Sequence, residues 1–322
     1  MAGTSASNMT ARPELLMVAP LMPFVMEALR RDYTVHDRIH TNDPAAFAAA
    51  APRIRGVVAN GEAKVPRELI ARLPALEVIS VFGVGYDGVD VAAAHERGVP
   101  VTNTPDVLND DVADLAIGLL LAVARRIPQA DRFVRADEWP GAAPTLGRKV
   151  SGGRLGIVGM GRIGQAIAHR AAAFRMDIAY TARSPRANVN HTYYPDAASL
   201  AAAVEFLVVI TPGGAATRGM IDARVLAALG PEGYLVNVAR GSVVDEPALI
   251  EALRSGVIAG AALDVFASEP HVPEALRAMP NVVLTPHIGS ATRQTREAMG
   301  QLVLDNLRAH FTGAPLLTPV DA

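Results

Sequence analysis

The stretch Leu155-Gly156-Ile157-Val158-Gly159-Met160-Gly161-Arg162-Ile163-Gly164 decides how the rest of this chain is read. Its apolar start reads as a buried strand, and the Ala-rich sequence after Gly164 reads as a helix. Between them lies G-x-G-x-x-G, the arrangement that a strand–turn–helix phosphate site requires. Gly159 permits the turn, and Gly161 lets backbone approach a diphosphate without an intervening Cβ. Gly164 allows the helix to pack closely on the strand. The opening residues of the helix, Arg162 and Ile163 among them, present N–H groups with no intrahelical acceptor, and these suit an anion. The stretch predicts a dinucleotide site.

Outward from it, short apolar runs alternate with helical patterns, which predicts parallel sheets covered by helices on both faces. Downstream, Ile178 to Thr181, Phe206 to Ile210, Tyr234 to Val238, Ile258 to Leu263 and Val282 to Leu284 read as strands buried on both sides. Upstream, Leu15 to Ala19, Arg55 to Ala59 and Glu77 to Val81 read as strands. Pro44 to Ala51, Pro66 to Leu73 and Val91 to Arg97 read as helices. A long helix is predicted over Asp110 to Arg126, with Asn109 as N-cap and Asp110 and Asp111 complementing its dipole. Its Ala113, Ala116, Ile117, Leu120 and Leu121 leave little polar face, so burial between domains or subunits is expected. A last helix is predicted over Thr292 to Phe311. Because the glycine motif lies mid-chain, its domain is expected to be an insertion. The expected division is residues 104–287 for dinucleotide binding, with 1–103 and 288–322 forming a discontinuous substrate domain.

Composition narrows the function classes. The 322 residues are half hydrophobic and 19% charged, with a net charge of −2 and scattered basic residues, which argues against a nucleic-acid surface. The longest apolar stretches fall short of the roughly 20 residues a membrane span needs. Cysteine is absent, excluding disulfides and thiolate metal sites and fitting a cytoplasmic location; no metal is expected. Met1 to Arg12 lacks the apolar segment of a secretory signal and reads as a frayed tail.

The second cofactor signal lies about 20 residues after the glycines. An NAD-selective unit places a carboxylate at the end of its second strand. Here Asp177 stands at the strand's beginning, and its end runs into Arg183-Ser184-Pro185-Arg186. Arg183, Ser184 and Arg186 suit a 2′-phosphate, so NADPH is expected over NADH by about tenfold to a hundredfold or more, since each charge-assisted hydrogen bond contributes about 1.5–3 kcal/mol. Three further strand ends carry chemistry. Arg240 follows the run to Val238 and offers a planar fork for a carboxylate. His287 follows Leu284 and can exchange a proton near neutral pH. Glu269 follows Asp264 in a loop and, bonded to the imidazole, would fix its tautomer. A carboxylate fork, a proton donor and a dinucleotide together equip a site to reduce a 2-oxo acid.

Several motifs recur in one order along nearly the whole chain: Phe82-Gly83-Val84-Gly85-Tyr86-Asp87, Thr104 to Ala116, Val158 to Gly164, Asn237-Val238-Ala239-Arg240-Gly241, Leu263-Asp264-Val265-Phe266 and Pro286-His287-Ile288-Gly289-Ser290. With them the chain resembles the D-isomer-specific 2-hydroxyacid dehydrogenases. It is most similar to their glyoxylate/hydroxypyruvate reductase branch and the related hydroxyphenylpyruvate reductases. The resemblance implies an α/β fold of two Rossmann-like or flavodoxin-like parallel-sheet domains, with the active-site cleft between them. It implies NADPH-dependent reduction of glyoxylate or hydroxypyruvate to the D-2-hydroxy acid, with a hydroxyphenylpyruvate-type activity as the alternative. Arg240 would bind the substrate carboxylate, with the backbone N–H groups of Val84 and Gly85 on its other side. His287 would be the general acid and Glu269 its partner. Asp264 would bond the nicotinamide carboxamide, with Val238, Ala239 and Gly289 lining that pocket.

One loop departs from relatives, which show a Pro-Leu-Thr-Pro type of sequence where this chain has Thr211-Pro212-Gly213-Gly214-Ala215-Ala216-Thr217. Thr211, Pro212 and Thr217 are still expected to flank the cofactor, on a loop that the glycines make more pliable. Trp139 stands in an irregular arm, Ala136 to Arg148. In similar reductases this arm crosses to a neighbouring subunit, implying a homodimer with the arm and the long helix at its interface and Trp139 near the substrate. Ser290 and Arg296 are candidates for the substrate's far end, as are Asn60 and Gly61. A reading from another class is a dinucleotide-sensing scaffold of the corepressor type. Those proteins carry docking and tail segments for which the leader and C-terminus here are short.

Overall fold

The computed structural model describes residues 12–321; the frayed-tail reading of the leader falls almost wholly outside the described residues. By its contacts the chain forms two compact units, one of residues up to Val107 with those from Arg293 on, the other Leu108–Thr292. These crossings lie a few residues beyond Asn103 and His287, for local reasons. Thr104 N–H bonds the Gly83 carbonyl, which keeps the residues after Asn103 with the first unit. Ile288 and Gly289 donate to Asp264, and the Thr292 hydroxyl to Asp111, which keeps this segment with the second.

The first unit holds strands β1 (Glu14–Met17), β2 (Thr34–Asp37), β3 (Ile54–Asn60), β4 (Val78–Phe82) and β5 (Val101–Thr102), in the order β2-β1-β3-β4-β5. All pair in parallel, the order of a flavodoxin-like sheet. The core gathers Leu16, Val57, Ile79 and Val81 against Phe47 and Ile70 from the helices and Leu73 from the turn after the second of them. Helix Pro44–Ala50 begins with proline at its first position and is capped by Asp43, whose carboxylate accepts from Ala46 N–H, so its start is fixed twice. Helix Arg67–Ala71 instead has Pro66 in the cap position. The last helix, Arg293–Thr312, packs on β4 and on helix Pro23–Asp32.

The second unit holds β6 (Arg154–Val158), β7 (Asp177–Thr181), β8 (Thr192–Tyr194), β9 (Phe206–Val209), β10 (Tyr234–Asn237), β11 (Gly260–Leu263) and β12 (Val282–Leu284). Their order is β12-β11-β10-β9-β6-β7-β8, again parallel throughout. The order reverses between β6 and β9, the position at which open α/β sheets bind ligands beyond their strands' C-terminal ends.

The long helix is Asn109–Ala124. Leu108 takes the cap position and Asn109 is the first helical residue, so the expected asparagine N-cap is not formed; Asp110 and Asp111 do occupy the first turn. Its apolar face buries Ala113, Ala116, Ile117, Leu119 and Leu120. That face is covered from within its own unit, by helix Arg162–Ala173 and by β10, β11 and β12. Arg170 of the neighbouring helix ties the two together through Asp110 and Asp114. No helix among the described residues is long and apolar enough to cross a membrane.

Candidate active site

At the sheet's reversal point, β6 ends in the glycine turn. Gly159 has φ +109, and a Cβ there would meet the backbone of Ile210 and Thr211 at 2.8–3.0 Å. Only glycine serves there, for conformation and for space. Gly164 packs its Cα against the Gly159 carbonyl, leaving no room for a Cβ. At Gly161 a Cβ would meet nothing within 4 Å. That glycine faces open space at the N-cap of helix Arg162–Ala173 and supplies no side-chain cap. A twelve-residue helix whose open N-terminus abuts a bare backbone fits a dinucleotide diphosphate.

Across the reversal, the Thr211 loop is more ordered than its glycines suggested. Gly214 sits at φ +129, and the Thr217 hydroxyl donates to the Pro212 carbonyl at 2.7 Å, closing the loop into a turn. On the other side, β7 begins at Asp177, so that carboxylate stands at the end of the strand remote from the glycines. Beyond its C-terminal end Arg183, Ser184 and Arg186 are exposed. The segment folds back on its own strand, Arg186 N–H donating to the Tyr180 hydroxyl at 2.8 Å. Two guanidinium groups and a hydroxyl thus stand where a ribose-binding acid would be.

The chemical residues sit beyond the C-terminal ends of three adjacent strands, β10, β11 and β12. Asn237 ends β10 and braces the turn after it, its side chain accepting from Ala239 N–H at 3.1 Å and donating to the Arg240 carbonyl at 3.1 Å. Val238 and Ala239 are buried within that turn. Gly241 lies so close to the backbone of Phe266 and Ala267 that any side chain would collide, which seats the Arg240 turn against the loop bearing Glu269. Glu269 accepts from Phe266 N–H through Oε1 at 2.8 Å and holds His287 Nδ1 through Oε2 at 2.7 Å. Imidazole and carboxylate are both mostly shielded, at 29% and 20% exposed. The bond from the carboxylate to Nδ1 fixes the tautomer and orientation of an imidazole able to exchange a proton near neutral pH.

Asp264 is the residue whose part in this site sequence reasoning underestimated. It is buried, and burial pushes its carboxyl above the ordinary range against three donors that pull it down. Oδ1 accepts from the Thr285 hydroxyl at 2.6 Å and Ile288 N–H at 2.8 Å; Oδ2 accepts from Gly289 N–H at 2.9 Å. Its own carbonyl takes His287 N–H at 2.8 Å. These bonds surround His287, whose φ of +52 puts a non-glycine residue in the left-handed region. Asp264 and Thr285 therefore hold a strained turn that aims the imidazole. The sequence signal was present, an acid and a hydroxyl at the ends of neighbouring strands, but the pairing needs the register Leu263↔Leu284.

In the first unit, Val84 and Gly85 follow the end of β4, and Gly61 lies against the same loop, its Cα 3.4 Å from where a Gly83 Cβ would stand. Asn60 spends its side-chain oxygen on its own turn, accepting from Glu62 and Ala63 N–H, so it shapes the loop. Arg296 lies over the ring of Phe82, the last residue of β4, at 5.5 Å. Ser290 is half-buried in the second unit, directly after Gly289. Trp139 is 65% exposed.

Known proteins share this arrangement. The model of the NAD-binding domain of D-isomer-specific 2-hydroxyacid dehydrogenases matches residues 117–289. A hydroxyphenylpyruvate reductase of Plectranthus scutellarioides is 48% identical over 309 residues, 95% of this chain and 98% of that protein. A glyoxylate/hydroxypyruvate reductase of Arabidopsis thaliana is 47% identical, over 95% and 98%. The NADPH-dependent glyoxylate/hydroxypyruvate reductase of Sinorhizobium meliloti, solved with NADP and malonate, is 48% identical and superposes with a TM-score of 0.91, covering 96% of this chain and 97% of that one. The glycine turn, the Arg, Glu and His strand ends and these likenesses agree, and the chain belongs to the D-isomer-specific 2-hydroxyacid dehydrogenase family.

Proposed function

We propose that this chain reduces a small 2-oxo acid, glyoxylate or hydroxypyruvate, to the D-2-hydroxy acid with NADPH. The observation that carries the reading is the His287–Glu269 bond at 2.7 Å on the sheet edge that also bears Arg240. NADPH supplies the hydride when bound. Arg240 takes the substrate carboxylate through its planar fork, with the N–H groups of Val84 and Gly85 on the other side. His287 delivers a proton from Nε2 to the carbonyl oxygen as it becomes a hydroxyl. Glu269 accepts Nδ1–H and stabilises the imidazolium. Oδ2 of Asp264 takes one protein donor among the described residues, which leaves an acceptor site for the nicotinamide carboxamide. Val238, Ala239 and Gly289 line that end; Thr211, Pro212 and Thr217 flank the middle. Gly159 to Gly164 hold the diphosphate, and Arg183, Ser184 and Arg186 hold the 2′-phosphate. The unit up to Val107 serves the substrate and Leu108–Thr292 the cofactor.

A phenyl-substituted pyruvate is the second reading, favoured by the Plectranthus relative. Steady-state turnover of glyoxylate, hydroxypyruvate and hydroxyphenylpyruvate, each with NADPH and with NADH, tests both. Turnover at least tenfold better with NADPH is expected. Clearly better NADH kinetics would end the cofactor assignment, and no turnover of any of the three would favour a dinucleotide-sensing scaffold.

The proposal includes a cytoplasmic homodimer joined through the arm. Helix Ile127–Arg135 buries none of its residues, and Ile127, Val134, Trp139 and Leu146 are 52–91% exposed. Apolar side chains grouped this way mark an association surface. A second copy covering them would also carry Trp139 to the substrate. Light scattering on Leu146→Asp is expected to give the mass of one chain where the parent gives two; an unchanged dimer would reject this interface.

A further inference from the structure

We infer that Asn103 is a positioning residue for the substrate carboxylate, clamped in place by the chain's C-terminal segment. The inference rests on the reading of Val84 and Gly85 as carboxylate donors. A trans peptide is planar, and its C=O and N–H point in opposite directions. The carbonyl of Gly83 shares a peptide plane with Val84 N–H, and the carbonyl of Val84 shares one with Gly85 N–H. Both carbonyls are held from behind. Thr104 N–H donates to Gly83 O at 2.9 Å, and Asn103 Nδ2 donates to Val84 O at 3.0 Å. Two consecutive N–H groups are thereby aimed the other way. Among the described residues neither has a protein acceptor. Two neighbouring donors without a protein acceptor among the described residues, just beyond the C-terminal end of β4, suit the two oxygens of a carboxylate.

Asn103 is itself fixed by the tail. Its N–H donates to Thr318 O at 3.3 Å, and its carbonyl accepts from the Thr318 hydroxyl at 2.7 Å. Asn306, with no exposed surface, donates to that hydroxyl at 2.9 Å and accepts from the N–H groups of Leu317 and Thr318. Pro319 bridges Thr102, and Val320 N–H bonds Val101 O at 2.8 Å. A continuous series of bonds thus runs from the last helix through Thr318 and Asn103 to the Val84 carbonyl. The C-terminal segment acts as a brace for the substrate loop.

The carboxylate is held before and during reaction alike, so loosening its donors should raise KM and spare kcat. Asn103→Ala and the near-isosteric Asn103→Asp, which cannot donate, are measured with whichever of the three 2-oxo acids the parent reduces. KM is expected to rise about tenfold, the effect of one lost hydrogen bond, with kcat within about threefold. The dissociation constant of NADPH, read by its fluorescence, should be unchanged. Thr318→Val keeps the amide and removes the hydroxyl half of its brace, leaving the backbone bond, and a rise in KM of about threefold is expected; it carries the test should neither Asn103 variant fold. Folded variants with the parent's KM would overturn the inference. Arg240→Lys separates the two levels: if it raises KM while the Asn103 variants do not, only this inference falls. If the parent reduces none of the three acids, the functional reading falls and takes the inference with it.

Discussion

Among the described residues two histidine–glutamate pairs share the same length, and they are built for different ends. His36 Nε2 lies 2.7 Å from Glu14, and His287 Nδ1 lies 2.7 Å from Glu269. The first pair joins neighbouring strands β1 and β2, with His36 in ordinary extended backbone. Its carboxylate is shared with Arg53, whose Nε donates at 2.6 Å. The second pair joins two loops beyond the C-terminal ends of β11 and β12. There the carboxylate's other oxygen takes a neutral amide donor, Phe266 N–H, and the histidine sits in left-handed backbone that Asp264 and Thr285 maintain. The hydrogen bond is therefore not the mark of function. What separates the pairs is which nitrogen is spent, whether a guanidinium already balances the carboxylate, and whether strain is held in place to aim the ring.

Replacing the two histidines is the most direct way to break this contrast. General acid catalysis contributes about 10²–10⁴-fold, so His287→Ala should lose turnover on that scale while binding NADPH as before. His36→Ala should keep kcat within about twofold, as a substitution remote from the proposed chemistry does. Comparable losses of kcat in the two variants would mean that the local differences carry no functional weight.

The strain can be tested one step back from the imidazole. Thr285→Val keeps shape but removes the donor to Asp264, leaving that buried carboxylate with two backbone donors. The turn should loosen and the ring lose its aim; kcat is expected to fall about tenfold, since small misplacements of reacting groups cost heavily. KM should stay near the parent's, because the proposed carboxylate donors are untouched. An unchanged kcat would show that the left-handed turn holds itself.

Much of this was legible in the sequence, for identifiable reasons. The central strands of both sheets, and the edge strand β12, are apolar runs, so β1, β3, β4, β6, β7, β9, β10, β11 and β12 all announced themselves within a residue or two. β2 (Thr-Val-His-Asp) and β8 (Thr-Tyr-Tyr) did not. Each is an edge strand with no fully buried residue, so neither the alternating nor the continuous apolar signal forms. β5 has two residues, too few for any pattern. At the site, the Glu269–His287 pair could be anticipated from residue types, because imidazole and carboxylate have few other reasons to meet at strand ends. The duties of Asp264, Asn237 and Asn103 could not. Each braces backbone through partners that only strand register or the tail's path brings near.

The smallest effect concerns what the first pair does instead. Burial pushes the Glu14 carboxyl upward, but hydrogen bonds from Arg53 and His36, with their charges, outweigh it and hold the group below its ordinary value of 4.5. A carboxylate with a depressed folded-state value stabilises the fold above its unfolded value, and that stabilisation is lost as pH falls through the folded one. Glu14→Gln should therefore lower the melting temperature by about 2–3 °C near neutrality, and the difference should shrink as pH falls below 4.5, with kcat unchanged at every pH where the protein is folded. Calorimetry across the acid range checks this. Melting curves that stay equally far apart in acid would deny the pair its electrostatic role, and a loss of kcat would bring it into the chemistry that the comparison reserves for Glu269 and His287.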